Sequence, residues 1–398
     1  MNGRFEKRQN WFADSSVLQE QYAVPGMAVG VTVNGGVTSQ WMRGFGYSDV
    51  QQMRRCTAET RMRIASISKP LTAALAMRLV QTGALNLDKP VHEYVNEFAQ
   101  PKWHDQPVDI TARQLLSHTS GIRHYRKTER DFTEPDPEVY NRTPYQTVTD
   151  ALEMFKNDAL VSKPGTEYNY TTHGYTLLAA AIESATDGQS FAAELLQMFR
   201  RLGMHNTTLD ENQPIIAERS SYYRRNAVHE LENVPEVDCS YKWAGGGIVS
   251  NVPDVLQFAH AMLHSYQQRS SPPEAASSLL TPSTVRQMWT PVVRRKFPHR
   301  KLKNAHTTTA YGLGWTAVDD EQTTPKTPGR CWPRSSYVWH SGGAVGVSSI
   351  LMIKPAPRDR KLDANTPIGG VCVVILANLE NVTLKKLALD IVNAFSDV

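Results

Sequence analysis

Cysteine is scarce: only Cys56, Cys239, Cys331 and Cys372 occur among 398 residues. They are too few and too scattered for a disulfide scaffold, and with no C-x-x-C the zinc-knuckle and thioredoxin readings fail. Cys372 lies in the apolar run 371–377 and reads as a small packed hydrophobe, and reduced thiols fit the pattern best. Charge of one sign is also lacking. Lys plus Arg is 43 against 39 Asp plus Glu, a net +4 that predicts no nucleic-acid partner. No run of about 18 apolar residues exists, so no segment reads as transmembrane. The first residues lack the apolar h-region of a secretory signal, and Arg4, Lys7 and Arg8 read as a frayed tail rather than a transit-peptide stub. Neither G-x-S-x-G nor H-E-x-x-H occurs, which argues against an α/β-hydrolase and a zincin. Gly342-Gly343-Ala344-Val345-Gly346 imitates part of a dinucleotide fingerprint, but a strand follows it instead of a helix. His118 and His124 read as turn and loop residues. No metal and no cofactor is expected.

What is present is an ordinary globular composition, 40% hydrophobic and 21% charged, long enough for a sizeable core. Residues 27–33 alternate like a strand, with Val29, Val31 and Val33 on one face. Asn34-Gly35-Gly36 then predicts a hairpin returning over 37–42. From Ser66 the pattern turns helical: Leu71, Ala74, Leu75, Arg78 and Leu79 follow a 3.6-residue period. Gly83 sits where a C-cap belongs, and Ser66 and Pro70 suit a helix start. Residues 177–185 and 255–263 also read as helices. Strands are expected at 337–339, 347–353 and 371–376. Leu384, Leu387, Ala388, Ile391, Val392 and Phe395 then form the stripe of an amphipathic helix.

This order predicts an α+β fold, a sandwich in which an antiparallel sheet built from both termini is flanked by helices, with a large, mostly helical inserted region. The expected division is a tail over 1–23, a sheet-containing catalytic domain over 24–85 plus 305–398, and a helical region over 86–304. Exposed loops are expected at 123–149, rich in charge and proline, and at 293–303, which is basic.

Three segments offer chemistry. Ser66-Ile67-Ser68-Lys69 is an S-x-x-K, and residues three apart on a helix share a face, so the Lys69 amine can reach the Ser66 hydroxyl. A serine is a poor nucleophile until a base takes its proton, and lysine serves as that base only where burial or nearby cations lower its pKa. Alone the motif is weak, arising about once by chance in a chain this long. In Tyr168-Asn169-Tyr170-Thr171-Thr172, Tyr170 can relay a proton, although by itself it reads as a half-buried aromatic. In His340-Ser341-Gly342-Gly343 the glycines let backbone approach a substrate closely, or form a bulge at a strand edge.

Together and in this order, the segments resemble the motifs of the serine beta-lactamase-like superfamily: S-x-x-K, Y-x-N and a K/H-T-G strand. Leu115-Leu116-Ser117-His118-Thr119-Ser120-Gly121-Ile122, Ala244-Gly245-Gly246-Gly247 and Tyr311-Gly312-Leu313-Gly314-Trp315 look like it too, and the resemblance spans roughly 24–396. Longer runs, such as Tyr241-Lys242-Trp243-Ala244-Gly245-Gly246-Gly247, are similar to the family's animal mitochondrial branch. The resemblance implies a serine hydrolase or peptidase with a Ser66 acyl-enzyme, Lys69 as activating base, Tyr170 as catalytic tyrosine and His340 as the strand residue. An oxyanion hole formed by the N–H groups of Ser66 and Gly343, with Ser341, Gly342 and Thr172 on the substrate side, is implied with it. So are peptide or ester substrates, a homo-oligomer or filament, peripheral membrane contact, a role in lipid metabolism, and the mitochondrial intermembrane space, with the cytoplasm as alternative. A filament scaffold with little catalysis and a true beta-lactamase or esterase are the alternatives. Two departures weigh against efficient lactam hydrolysis. Thr172 replaces the usual Asn, losing a two-way amide clamp, and Ser341 replaces Thr.

Overall fold

The computed structural model describes residues 22–35, 39–125, 137–268, 279–294, 307–320, 335–356 and 369–396. Most of the expected tail, most of the basic loop and Cys331 lie outside them. Among the described residues the main sheet has nine strands: β1 (Gly26–Val33), β2 (Gln40–Asp49), β3 (Arg54–Arg55), β4 (Val293–Arg294), β5 (Thr307–Tyr311), β6 (Thr316–Asp320), β7 (Ser335–Ala344), β8 (Val347–Pro355) and β9 (Gly370–Ala377). Their order is β4-β5-β6-β7-β8-β9-β1-β2-β3, and every neighbouring pair is antiparallel. The fold is α+β, and its sheet joins the two ends of the chain, since β1 pairs with β9 in the register Met27↔Ala377 to Val33↔Val371.

β1 is buried along its whole length, because it is central and both its faces are covered. Met27, Val29, Val31 and Val33 pack with the C-terminal residues Leu387, Ile391 and Phe395 in one apolar cluster. The alternate positions are small for a reason. A Cβ on Gly30 would stand 2.3 Å from Val252 Cγ1, so glycine there lets the helix Val252–Gln267 lie against the sheet. The hairpin turn has Asn34 at φ 53° and Gly35 at φ 82°, the left-handed pair that Asn-Gly favours. The return strand spans Gln40–Asp49, longer than expected at its far end, and positions 37 and 38 of the expected strand lie outside the described residues.

Four long helices matter for the site and its support: α1 (Ser68–Thr82), α2 (His173–Ala185), α3 (Val252–Gln267) and α4 (Lys385–Phe395). α4 buries the expected stripe, and each large apolar side chain in it contributes roughly 1.5–3 kcal/mol. α1 departs from its one-faced pattern: Ser68 to Met77 are all buried. It is a central helix wedged among sheet and helices, so its polar residues, Ser68, Lys69 and Thr72, are also enclosed. Gly83 closes it at φ 79°. Ser66 does not cap it. The cap position is Ile67 with no side-chain bond, and Ser66 sits in a preceding 3-10 turn, Ala65–Ile67.

The loop expected to be exposed over 123–149 is tethered at its start. Arg123 donates bidentately to Glu138, at 2.9 Å on each oxygen, and donates to Asp158 at 2.6 Å. Residues 126–136 lie outside the described parts. His340 to Gly343 do not follow β7 as a bulge but continue it, since pairing with β8 runs through Ala344↔Val347.

Candidate active site

The turn Ala65–Ile67 presents Ser66 at the mouth of α1. Lys69 Nζ lies 3.2 Å from Ser66 Oγ, 3.3 Å from Thr172 Oγ1 and 2.6 Å from the Gly245 carbonyl. A neutral amine has two N–H donors and one lone pair. The carbonyl and the Thr172 hydroxyl accept the two donors, which leaves the lone pair for the Ser66 hydroxyl. The side chain is fully enclosed, and burial first, then the Lys242 ammonium, hold the Lys69 pKa well below the ordinary lysine value.

Tyr170 approaches from the other side, its hydroxyl donating to Ser66 Oγ at 2.7 Å. Its segment is pinned on both flanks. Asn169 N–H donates to the His118 carbonyl at 2.8 Å, and Thr171 N–H donates to His118 Nδ1 at 3.2 Å. The His118 ring lies 4.3 Å from the Tyr170 ring, with Tyr168, Tyr175 and Tyr311 also around it. His118 on one side and Lys69 Nζ, 4.6 Å from the ring centroid, thus hold the phenol over the nucleophile.

β7 supplies the third wall. Its pairing with β6 ends at Thr316↔Trp339, whereas β8 continues to Ala344, so the edge from His340 to Ala344 has no β6 partner. This edge presses on the serine turn. A Cβ on Gly342 would meet Ser349 Oγ at 2.3 Å, Ile64 O at 2.5 Å and Ala65 Cβ at 2.9 Å. Gly343 instead faces open space and lines a cavity of about 260 Å³ with Ser66, Tyr170, Thr172 and Lys242. Behind it, Arg63 donates to the Val345 carbonyl at 3.1 Å and pairs with buried Asp210 at 2.6 Å, fixing the β7–β8 turn.

The structure thus brings Ser66, Lys69, Tyr170, Thr172 and Gly343 together. His340 adjoins this group, its ring 6.4 Å from that of Tyr170, but it is buried and is not among the residues that line the cavity. Its Nδ1 lies 2.8 Å from the Ser341 carbonyl, which only accepts, so Nδ1 carries a proton. Its Nε2 lies 3.0 Å from the hydroxyl of Tyr311, whose pKa burial pushes far up. Ser341 is exposed and outside the lining, and Gly342 is packing beneath the strand. The residue signals do not mark the Gly245 carbonyl, the His124 and Tyr125 wall of the cavity, or Lys242. A lysine within the otherwise apolar and glycine-rich run 241–247 was the available signal for the last. No metal-binding group of His, Cys, Asp or Glu occurs among the described residues.

The beta-lactamase family profile matches residues 13–392. The chain belongs to the beta-lactamase family. It is 35% identical over 437 residues to the mitochondrial serine beta-lactamase-like protein LACTB of Homo sapiens, covering 95% of this chain and 78% of that protein. The Mus musculus protein is 34% identical with the same coverage. Protein flp of Staphylococcus aureus strain MRSA252 is 25% identical, over 92% of this chain and 61% of that one. Among solved structures, the hydrolase EstCE1 superposes with a TM-score of 0.72 at 20% identity, covering 99% of each chain. The octameric penicillin-binding protein homologue of Pyrococcus abyssi gives 0.69 at 22%, over 96% of this chain and 75% of that one. This family of serine hydrolases accounts for the α+β fold described above, and no helix among the described residues is long and apolar enough to cross a membrane.

Proposed function

We propose that the chain is a serine acyl hydrolase acting on peptide-like or ester acyl donors through a Ser66 acyl-enzyme. One observation carries the reading: Ser66 Oγ stands between Lys69 Nζ at 3.2 Å and the Tyr170 hydroxyl at 2.7 Å, on the wall of an open cavity. The neutral Lys69 amine accepts the Ser66 proton as Oγ attacks the carbonyl carbon, and the carbonyl pair moves onto oxygen. The N–H groups of Ser66 and Gly343 hold that oxyanion. The intermediate collapses, the bond to the leaving group breaks, and Tyr170 hands it a proton that Lys69 resupplies. Water enters by the same path in reverse and releases the acid. His340, through Tyr311, braces the tyrosine cluster. Thr172 spends its hydroxyl on Lys69, which supports weak lactam turnover. A fluorophosphonate probe should label the wild type and not Ser66→Ala; equal labelling of both removes Ser66 from the mechanism.

The relatives' name supports a mitochondrial site of action, and the resemblance to that branch supports the intermembrane space, filament assembly and a role in lipid metabolism. The octameric homologue adds support for self-association. Cell fractionation, and electron microscopy of the purified chain, test these: a protein dispersed as monomers at high concentration contradicts the assembly.

A further inference from the structure

The two N–H groups assigned to the oxyanion belong to separate pieces of the chain, Ser66 in the turn Ala65–Ile67 and Gly343 in β7. Their spacing depends on what joins those pieces. The backbone of the serine segment pairs elsewhere: Met62 and Arg63 ladder onto Ser250 and Val249, and Ile64 N–H donates to the Ile248 carbonyl at 2.9 Å. The turn is also strained, since Ala65 is held at φ 48°, a left-handed conformation that favours glycine. Two side chains cross between this segment and the β7–β8 hairpin. Ser349 on β8 stands opposite Gly342 in the register, and its hydroxyl donates to the Ile64 carbonyl at 2.8 Å. That carbonyl also accepts Ile67 N–H at 3.1 Å, the bond that closes the turn around Ser66. The hydroxyl has room because position 342 lacks a side chain: a Cβ there would stand 2.3 Å from Ser349 Oγ and 2.5 Å from the Ile64 oxygen. Arg63 crosses the other way. Its Nη1 donates to the Val345 carbonyl at 3.1 Å, just past Gly343, while Nε donates to Asp210 at 2.6 Å. Its guanidinium also lies 4.4 Å from the centre of the Tyr222 ring. Ser349 is 2% exposed and Arg63 4%, so bulk water does not compete for either bond.

We infer that Ser349 and Arg63 are positioning residues that set the gap of the oxyanion hole. Ser349 holds the turn that carries the Ser66 N–H, and Arg63 holds the strand end that carries the Gly343 N–H. Gly342 is the opening through which the first of them acts. Oxyanion donors work through distance and angle, so a misplacement of about 1 Å costs on the order of 100-fold in rate. The inference rests on the acyl-transfer reading and deepens it.

The test compares p-nitrophenyl butanoate with its thiono analogue, in which sulfur replaces the carbonyl oxygen alone. Sulfur is the larger and weaker acceptor, so the preference for oxygen reads the fit of the hole. Each kcat/KM is corrected by the Ser66→Ala background, and the oxygen-to-sulfur ratio is divided by the ratio for hydroxide ion. The wild type should exceed hydroxide roughly 100-fold, the worth of one oxyanion donor. Ser349→Ala should lower that ratio roughly 10-fold or more. So should Arg63→Lys, whose single nitrogen cannot serve both Asp210 and the Val345 carbonyl. A smaller folded fraction lowers both rates equally and cancels in the ratio. Ser348→Ala is the control: its hydroxyl bonds the Leu379 carbonyl at 2.9 Å, and the ratio should stay at the wild-type value. A ratio that survives either substitution overturns that tether and leaves the hydrolase reading standing, and a ratio that falls as far in the control overturns both tethers. Fluorophosphonate labelling at Ser66 without a wild-type oxygen preference overturns the oxyanion hole and its tethers together. Absence of labelling overturns the hydrolase reading as well.

Discussion

Lys69→Met nearly preserves side-chain volume and removes the amine. Burial first, and then Lys242, depress the Lys69 pKa in the folded chain, so the folded state sheds this proton earlier than the unfolded one does. A positioned general base contributes roughly 100- to 10,000-fold, so fluorophosphonate labelling of the variant should slow by at least about 100-fold. The same shift must appear in stability. Unfolded Lys69 holds its proton up to about pH 10.4, the ordinary lysine value. Between the folded pKa and that value the unfolded chain binds more protons, so stability rises with pH, by up to about 1.4 kcal/mol per pH unit from this group. Below the folded pKa the group contributes no slope. At any one pH the variant is a balance between relief of the neutralisation cost and loss of the 2.6 Å donor to the Gly245 carbonyl, worth about 1–3 kcal/mol. The slope is free of that ambiguity. Urea denaturation across the neutral to alkaline range should show wild-type stability climbing relative to the variant. Parallel curves, with labelling within tenfold of wild type, would refute Lys69 as a depressed-pKa base.

Other changes probe the remaining walls. Tyr170→Phe should lower kcat/KM on a p-nitrophenyl ester by roughly 100-fold or more with the melting temperature unchanged; a retained rate excludes its hydroxyl from proton transfer. Gly342→Ala forces a Cβ within 2.5 Å of the Ile64 carbonyl and should cost about 1–3 kcal/mol in thermal melts, together with slower labelling. Burial raises the Asp210 pKa, but Arg63 and Arg219 outweigh it and hold the carboxyl below its ordinary value. Its contribution is therefore complete above the unfolded pKa of about 3.9 and lost as pH falls through the lower folded value. Asp210→Asn should cost about 3–5 kcal/mol at neutral pH, read by denaturant titration; a cost under 1 kcal/mol would show the pair does not hold Arg63.

The sequence by itself determined the local chemistry. The S-x-x-K spacing put Lys69 one turn from Ser66, where the two side chains can meet, and the 3-10 turn that runs into α1 keeps that spacing. Asn34-Gly35 determined a left-handed turn, and the stripe from Leu387 to Phe395 determined which face of α4 is buried. Small residues at Ala28, Gly30 and Thr32 already carried the close approach of α3, although only the packing shows what approaches. Tertiary structure decided which distant groups converge. Tyr170, Gly343 and the Gly245 carbonyl meet Ser66 and Lys69 because α1 is buried between the sheet and the helical region, and no periodicity encodes that meeting. It also decided that His340 turns toward Tyr311 while Lys242 turns toward the cavity. Strand alternation and a lone lysine leave those directions open; the enclosing side chains settle them.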